Sequence, residues 1–246
     1  MAITVTNLTA GGTTGSATSA TTASVSPTAD ALILLAVCYY DSADNPTFPT
    51  SITGNGLTWE LVNYADVDQF PADFSRLWLY RAIGSSPSAG TIVISFGATS
   101  IGRISWVVDQ FTGVAAGGNG TKAIVQSAVA AGASGATSLT AVLDPFEDAA
   151  NNIAYGVFQV QTSNPATFTV GGSFTLTGKF DTSTSFAQIA AEYRAADADP
   201  SMSWSATSVF MSGAVAAEIA AAGRAGKVAN LDFSAFPKPK MRGGDG

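Results

Sequence analysis

The run ALILLAVCYY, Ala31 to Tyr40, is an unbroken apolar stretch closed at its two ends by Asp30 and Asp41. As a helix it would span about 15 Å, half a bilayer, and it carries β-branched and aromatic residues with no capping box, so the helical and membrane readings both fall. As a strand it runs about 33 Å, with Leu32, Leu34, Ala36, Cys38 and Tyr40 on one face and Ile33, Leu35, Val37 and Tyr39 on the other. Both faces are apolar. An antiparallel sheet normally leaves one face wet, so this strand belongs mid-sheet, its second face covered by loops, by another layer or by a neighbouring subunit.

The segments that follow carry β signals. Asn55-Gly56 lies between Ser51–Thr53 and Leu57–Trp59, a type I′ hairpin signature, because that turn needs positive φ at both centres. In Ser75 to Ala82, Leu77 and Leu79 alternate with Trp78 and Tyr80. Thr91 to Phe96 puts Ile92, Ile94 and Phe96 on one face, and Arg103 to Val114 sets Ile104, Trp106 and Val108 inward against Arg103, Ser105 and Asp109 outward. Upstream, Ile3 to Leu8 reads as a first strand. The small-residue tract Ala10 to Ser26 permits an arm, a loop or a weak strand.

The second half repeats this plan. Asn152 to Thr162 matches the central strand, and Gly171-Gly172 within Thr167–Thr177 matches Asn55-Gly56. Phe186 to Ala195 matches Ser75–Ala82 with the shared ending Tyr80-Arg81-Ala82 and Tyr193-Arg194-Ala195, and Met202 to Ser205 stands for Thr91–Phe96. Val209 to Ile219 stands for Arg103–Val114. The offsets shrink from 121 at Asp30/Asn151 through 116 and 113 to 105 at Ile104/Val209, as shorter loops require. Ala214 to Ala225 has helical propensity, but its place in the repeat favours strand as far as Ile219.

The expectation is therefore an all-β chain, a jelly-roll β-sandwich of two antiparallel sheets built from two similar halves, with an extended C-terminal arm. Residues 1–29 form an N-terminal strand and Ser/Thr/Ala-rich segment, and 30–225 the sandwich. Its halves, 30–114 and 151–219, are joined by 115–150, which holds one strand near Lys122–Val129; 226–246 is the basic tail.

Composition narrows the function. Charged residues are 12% of the 246, about half the usual share. Residues 1–219 carry 6 bases and 16 acids, net −10; residues 220–246 carry 5 bases and 2 acids, net +3. An acidic body disfavours nucleic acid, and no membrane segment is present. With no histidine and Cys38 as the one cysteine, the usual nucleophile triads, an internal disulfide and Cys/His zinc sites are excluded, and no cofactor is expected. Cys38 reads as core. The N-terminus lacks a signal-peptide pattern, so synthesis and folding in a cytosol are expected.

The run ALILLAVCYYD, with Gly56–Trp59, LWLYRA at Leu77–Ala82, GTIVISF at Gly90–Phe96 and ISWVVDQFTGV at Ile104–Val114, resembles the concanavalin-like or jelly-roll domains of tailed-phage virion proteins. The resemblance covers roughly Asp30 to Ile219 and implies a structural role on the particle: head decoration, fibre or tail appendage. Assembly in the host cytosol and service outside would reconcile a leaderless chain with a surface-protein composition. The tail KVANLDFSAFPKPKMRGGDG combines apolar anchors with a stiff Pro-Lys-Pro-Lys segment, the grammar of an arm laid across a partner. Its anchor residues are Arg224, Lys227, Leu231, Phe233, Phe236, Lys238, Lys240 and Arg242. The expected partners are capsid or other virion subunits, with a homo-oligomer, a trimer foremost.

The alternative is a glycan-binding adhesin or tail-fibre module using the loop aromatics Phe48, Tyr64 and Phe70, since Trp59, Trp78, Trp106 and Trp204 lie on strands and read as core. A polysaccharide depolymerase would use Asp109, Glu192 or Glu218, but Asp109 near Arg103 and Glu192 beside Arg194 read more simply as ion pairs at a sheet surface. Asp66, Asp68 and Asp73, or Asp41, Asp44 and Asn45, offer oxygen ligands without a calcium-loop pattern, so no metal is expected.

Overall fold

A computed structural model describes residues 2–41, 48–67, 74–132, 135–162, 165–181, 186–195, 201–207 and 211–223. The first half contributes β1 (Thr4–Gly12), β2 (Ser19–Thr21), β3 (Leu32–Asp41), β4 (Ser51–Gly54), β5 (Glu60–Asp66), β6 (Phe74–Ala82), β7 (Ile92–Ser95) and β8 (Arg103–Thr112). The second contributes β9 (Ile124–Gly132), β10 (Ser138–Val142), β11 (Ile153–Gln161), β12 (Phe168–Val170), β13 (Thr175–Phe180), β14 (Ala187–Ala195), β15 (Ser201–Ala206) and β16 (Met211–Ile219). Every strand pairing is antiparallel. The chain is an all-β sandwich, as its alternation predicts.

The repeat is larger than the sequence reading makes it. One five-stranded sheet runs β1-β8-β3-β6-β5 and one three-stranded sheet β2-β7-β4; the others run β9-β16-β11-β14-β13 and β10-β15-β12. Adding eight to every strand number turns the first pair into the second. Each half is thus a complete eight-stranded sandwich, split five against three, and the expected single pair of sheets is in fact two pairs. β1 and β2, in the segment set apart as N-terminal, and β9 and β10, in the presumed connection, open the two units. The strands expected at Ile3–Leu8 and Lys122–Val129 are β1 and β9; β2, with three residues, and β10 are the ones that alternation left open.

The two large sheets stack face to face, with the small sheets outside. Leu32, Leu34, Ala36 and Cys38 of β3 share a central interior with Tyr155, Val157, Ile189 and Val215, while Ile33, Leu35, Val37 and Tyr39 share an outer one with Ile92, Ile94 and Phe96. The doubly apolar strand is therefore covered on both sides within one chain, by another layer. Burying eight such side chains contributes on the order of 15 kcal/mol before entropy is counted. Contacts across the centre obey the same exchange of strand numbers: β1 meets β13 as β9 meets β5, and β8 meets β14 as β16 meets β6. That is the pattern of an approximate two-fold axis passing between β3 and β11.

Three local expectations need correction. The Asn55-Gly56 turn is present, with φ of 56° and 65°, but it joins no hairpin: β4 pairs with β7 and β5 with β6, in different sheets. The Asn55 amide donates to the carbonyls of Ser88 (2.9 Å) and Gly90 (3.1 Å), which holds the turn against the small sheet while Leu57 to Trp59 carry the chain across. The shared Tyr-Arg-Ala ending is a coincidence of register, since Tyr80 packs in the outer interior and Tyr193 against the central one. Face by face, Leu77 and Leu79 correspond to Ile189 and Ala191, and Val107 and Phe111 to Val215 and Ile219; Val209 lies outside the described residues. Finally, Ser105 and Asp109 do not face outward, because the second unit covers their side of β8.

Candidate functional site

The anchor residues Arg224, Lys227, Leu231, Phe233, Phe236, Lys238, Lys240 and Arg242 lie outside the described residues, as does Phe70. The point from which the tail departs is described. After β16, Ala220 N–H donates to Ala123 O (2.8 Å) and Ala222 N–H to Gly113 O (2.8 Å), and Ala221 bridges Val114. The tail therefore springs from the seam where the chain passes from one unit to the other.

Phe48 and Tyr64 come together at the edge of the first unit. Phe48 is 38% exposed and meets Tyr64 edge-on at 5.0 Å, with Trp78 at 5.8 Å and the Arg76 guanidinium 5.8 Å above its ring. β5–β6 pairing sets Tyr64 opposite Trp78, which stacks on Tyr39 at 5.2 Å. Because Tyr64 is edge-on, the cluster offers one exposed aromatic face rather than a platform. Arg76 is held by two hydrogen bonds to Asp66, each 2.9 Å, so this carboxylate is engaged in an ion pair. Among the described residues no group of three or more His, Cys, Asp or Glu is placed to hold a metal ion, and Asp44, Asn45, Asp68 and Asp73 lie outside them. Trp78, Trp106 and Trp204 are buried and Trp59 packs partly buried against the outer interior, the core role expected of them.

The three carboxylates singled out by the sequence are all buried, and they do not share a cleft. Asp109 faces the central interior, opposite Leu34 in the β3–β8 ladder. Neutral donors hold it: Asn7 Nδ2 at 2.8 Å, Tyr155 O–H at 2.9 Å and Thr177 O–H at 2.7 Å. Burial pushes the Asp109 carboxyl above its ordinary range, and these bonds pull it part of the way back. Arg103 Nη1 donates to Gly102 O at 2.6 Å, and the expected Asp109–Arg103 surface pair is replaced by an interior cluster that ties β1 and β8 to β11 and β13.

Glu192 and Glu218 face the other way, into the outer half of the second unit. Glu218 accepts from Asn152 Nδ2 (2.6 Å) and Gln126 Nε2 (2.7 Å). Glu192 accepts only a 3.2 Å bond from Gly171 N–H, its Oε1 has no hydrogen-bond partner, and burial pushes its carboxyl up to about 8. Arg194 sets its guanidinium 5.3 Å from the Phe174 ring centre, so Glu192 is a core carboxyl and not part of a surface pair. Cys38 is fully buried, and burial raises its thiol far above the ordinary range, so it is an inert core residue as read from the sequence.

The partners of Asp109 were invisible to spacing, because Asn7, Tyr155 and Thr177 come from three strands of two units. Tyr155→Phe tests the cluster. It should lower stability by about 1.5 kcal/mol at neutral pH and by less in acid, where a protonated Asp109 depends less on that donor; chemical denaturation at the two pH values measures the difference.

No protein-family model matches the chain, and comparison with curated proteins and with solved structures gives no match.

Proposed function

We propose that the chain is a non-enzymatic structural protein of a phage virion, of the capsid decoration or cement type, attached to neighbouring subunits through residues 226–246. The observation that carries this reading is the charge split, net −10 over residues 1–219 against net +3 over 220–246. The pairing of three of the body's six bases supports it: Arg76 pairs with Asp66, Arg81 with Glu60 and Lys179 with Asp181, which leaves the body less positive charge to offer a partner than its count implies. The departure of the tail from the seam between units supports it too, since the arm can leave without unravelling either sandwich. The doubly apolar β3 no longer argues for a partner, because the second unit covers it. A trimer at particle symmetry positions remains part of the proposal.

The test is removal of residues 225–246. The truncated protein should keep the thermal midpoint of the body and fail to co-sediment with particles; full occupancy after truncation would refute the anchoring role. Glycan binding at the first unit is the second reading, and exposed Phe48 is the observation that favours it. Neutral sugars that shift the amides around Phe48 and Tyr64 would support it.

A further inference from the structure

At one corner of the outer sheet β10-β15-β12 the surface dips into a depression of about 470 Å³, lined by Thr137, Thr167, Thr169, Ser205, Ala206 and Thr207. Five of these six side chains carry a hydroxyl and none carries a charge. The volume falls within the range of roughly 300 to 1,000 Å³ typical of small-molecule sites. Thr169 lies opposite Ser205 in the β12–β15 ladder, and Ala206 N–H donates to Thr137 O at 2.9 Å, which fixes three walls to one another. Thr207 Oγ1 accepts the Thr167 N–H at 3.2 Å, so its own O–H is left to donate.

The first unit supplies an internal comparison. Ser95 pairs with Ser19 and Ser51 as Ser205 pairs with Ser138 and Thr169, and Phe96 N–H donates to Thr18 O at 2.9 Å as Ala206 N–H does to Thr137 O. The backbone corner is the same. Yet Pro49 and Gly97, the latter at φ +68°, stand where the second unit has Thr167 and Thr207, and Phe96 stands where it has Ala206. The five-hydroxyl set belongs to the second unit alone.

We propose that this corner of the second unit binds a ring of a neutral sugar, at a site separate from the tail and from the Phe48 cluster. Among its described lining residues there is no charge to select an ion and no aromatic ring to stack on, so they orient a ligand by hydrogen bonds. Hydroxyl side chains both donate and accept, which matches a ligand whose own hydroxyls do both. Three or four such hydrogen bonds correspond to a dissociation constant on the order of millimolar.

The experiment is a ¹⁵N-detected titration of the full chain with maltose, cellobiose, lactose and N,N′-diacetylchitobiose, carried into the tens of millimolar. At least one sugar should give saturable shifts at the amides of Thr137, Thr167, Thr169, Ser205 and Thr207, with none at Thr18, Ser51 and Ser95. The double change Thr167→Pro with Thr207→Gly puts the first unit's residues at these two positions and should weaken binding by about tenfold or more. Thr169→Val, which keeps the strand pairing, provides the same readout if the double variant does not fold. Absence of saturable shifts with all four sugars, undiminished binding in a folded variant, or shifts confined to Phe48 and Tyr64 would each overturn the proposal. Particle attachment through the tail is read by co-sedimentation, so the two proposals fail independently.

Discussion

Between pH 5 and pH 8 the folded protein should lose stability, and Glu192→Gln should remove most of that loss. The side chain is buried on β14, receives one 3.2 Å bond from Gly171 N–H, and titrates near 8 where a free glutamate titrates near 4.5. Below 4.5 both folded and unfolded chains hold the proton. Between the two values only the folded state keeps it, so each rise in pH favours unfolding until the folded carboxyl ionises. The span corresponds to on the order of 3 kcal/mol once relaxation around the buried charge is allowed for. For a chain of this length that is roughly 6 to 12 °C in melting temperature. Asp109, also raised, slopes in the same direction, whereas Glu60, lowered by its bond to Arg81, slopes the opposite way at more acid pH. The comparison of wild type with Glu192→Gln isolates the one group. Equal slopes in the two proteins would show that Glu192 is not the source.

Gly156→Ala should cost about 3 kcal/mol, although it adds a single methyl group to a strand. The backbone at Gly156 is ordinary; the obstacle is space. A Cβ there would run into Trp204 Cζ2, with Cη2 at 2.6 Å and Met202 Cε at 2.8 Å. Trp204 is also held by a parallel stack on Phe158 at 5.7 Å, so a shift away from the new methyl group disturbs that ring contact. Gly172→Ala is the control, because nothing lies within 4 Å of its added carbon, and it should change stability by less than about 0.5 kcal/mol. Thermal melts of both variants with tryptophan fluorescence decide the matter. A melting temperature for Gly156→Ala equal to that of wild type would mean that the outer interior of the second unit is much looser than its packing implies.

The same pair of residues explains why the duplication is faint in the sequence. At the places of Gly156 and Trp204 the first unit has Leu35 and Ile94, which fill the equivalent outer interior with two medium side chains instead of a large one and none. Volume is conserved across facing layers while identity is not. Alternation survives such exchanges, which is why β3, β6, β7 and β8 and their partners β11, β14, β15 and β16 were legible. Short strands such as β2 and β10 carry too little contrast between faces to be read.

The candidate sites divide along the same line. Phe48 could be named because an aromatic outside the strands stands out, but Tyr64, expected in a loop, lies on β5, and neither the edge-on contact of the two nor the Arg76–Asp66 pair could be read. Asp109, Glu192 and Glu218 could be named as carboxylates on strands, but alternation put Asp109 and Glu192 at a wet face. With a second five-stranded sheet on one side and a small sheet on the other, they are core residues, and for Asp109 and Glu192 burial makes the charge costly.

By itself the sequence determined that this chain is built of antiparallel strands with a doubly covered central one, that its plan occurs twice, and that its cationic end opposes an acidic body. Those properties follow from local alternation and from counting, which need no partner in space. Only the tertiary structure decided that each half is a full sandwich and that the two mate through their large sheets, placing the hydroxyl-lined corner of the second unit on an outer face. Layer order and side-chain neighbours depend on contacts between residues a hundred positions apart, and a strand's alternation records only that a face is covered, never by what.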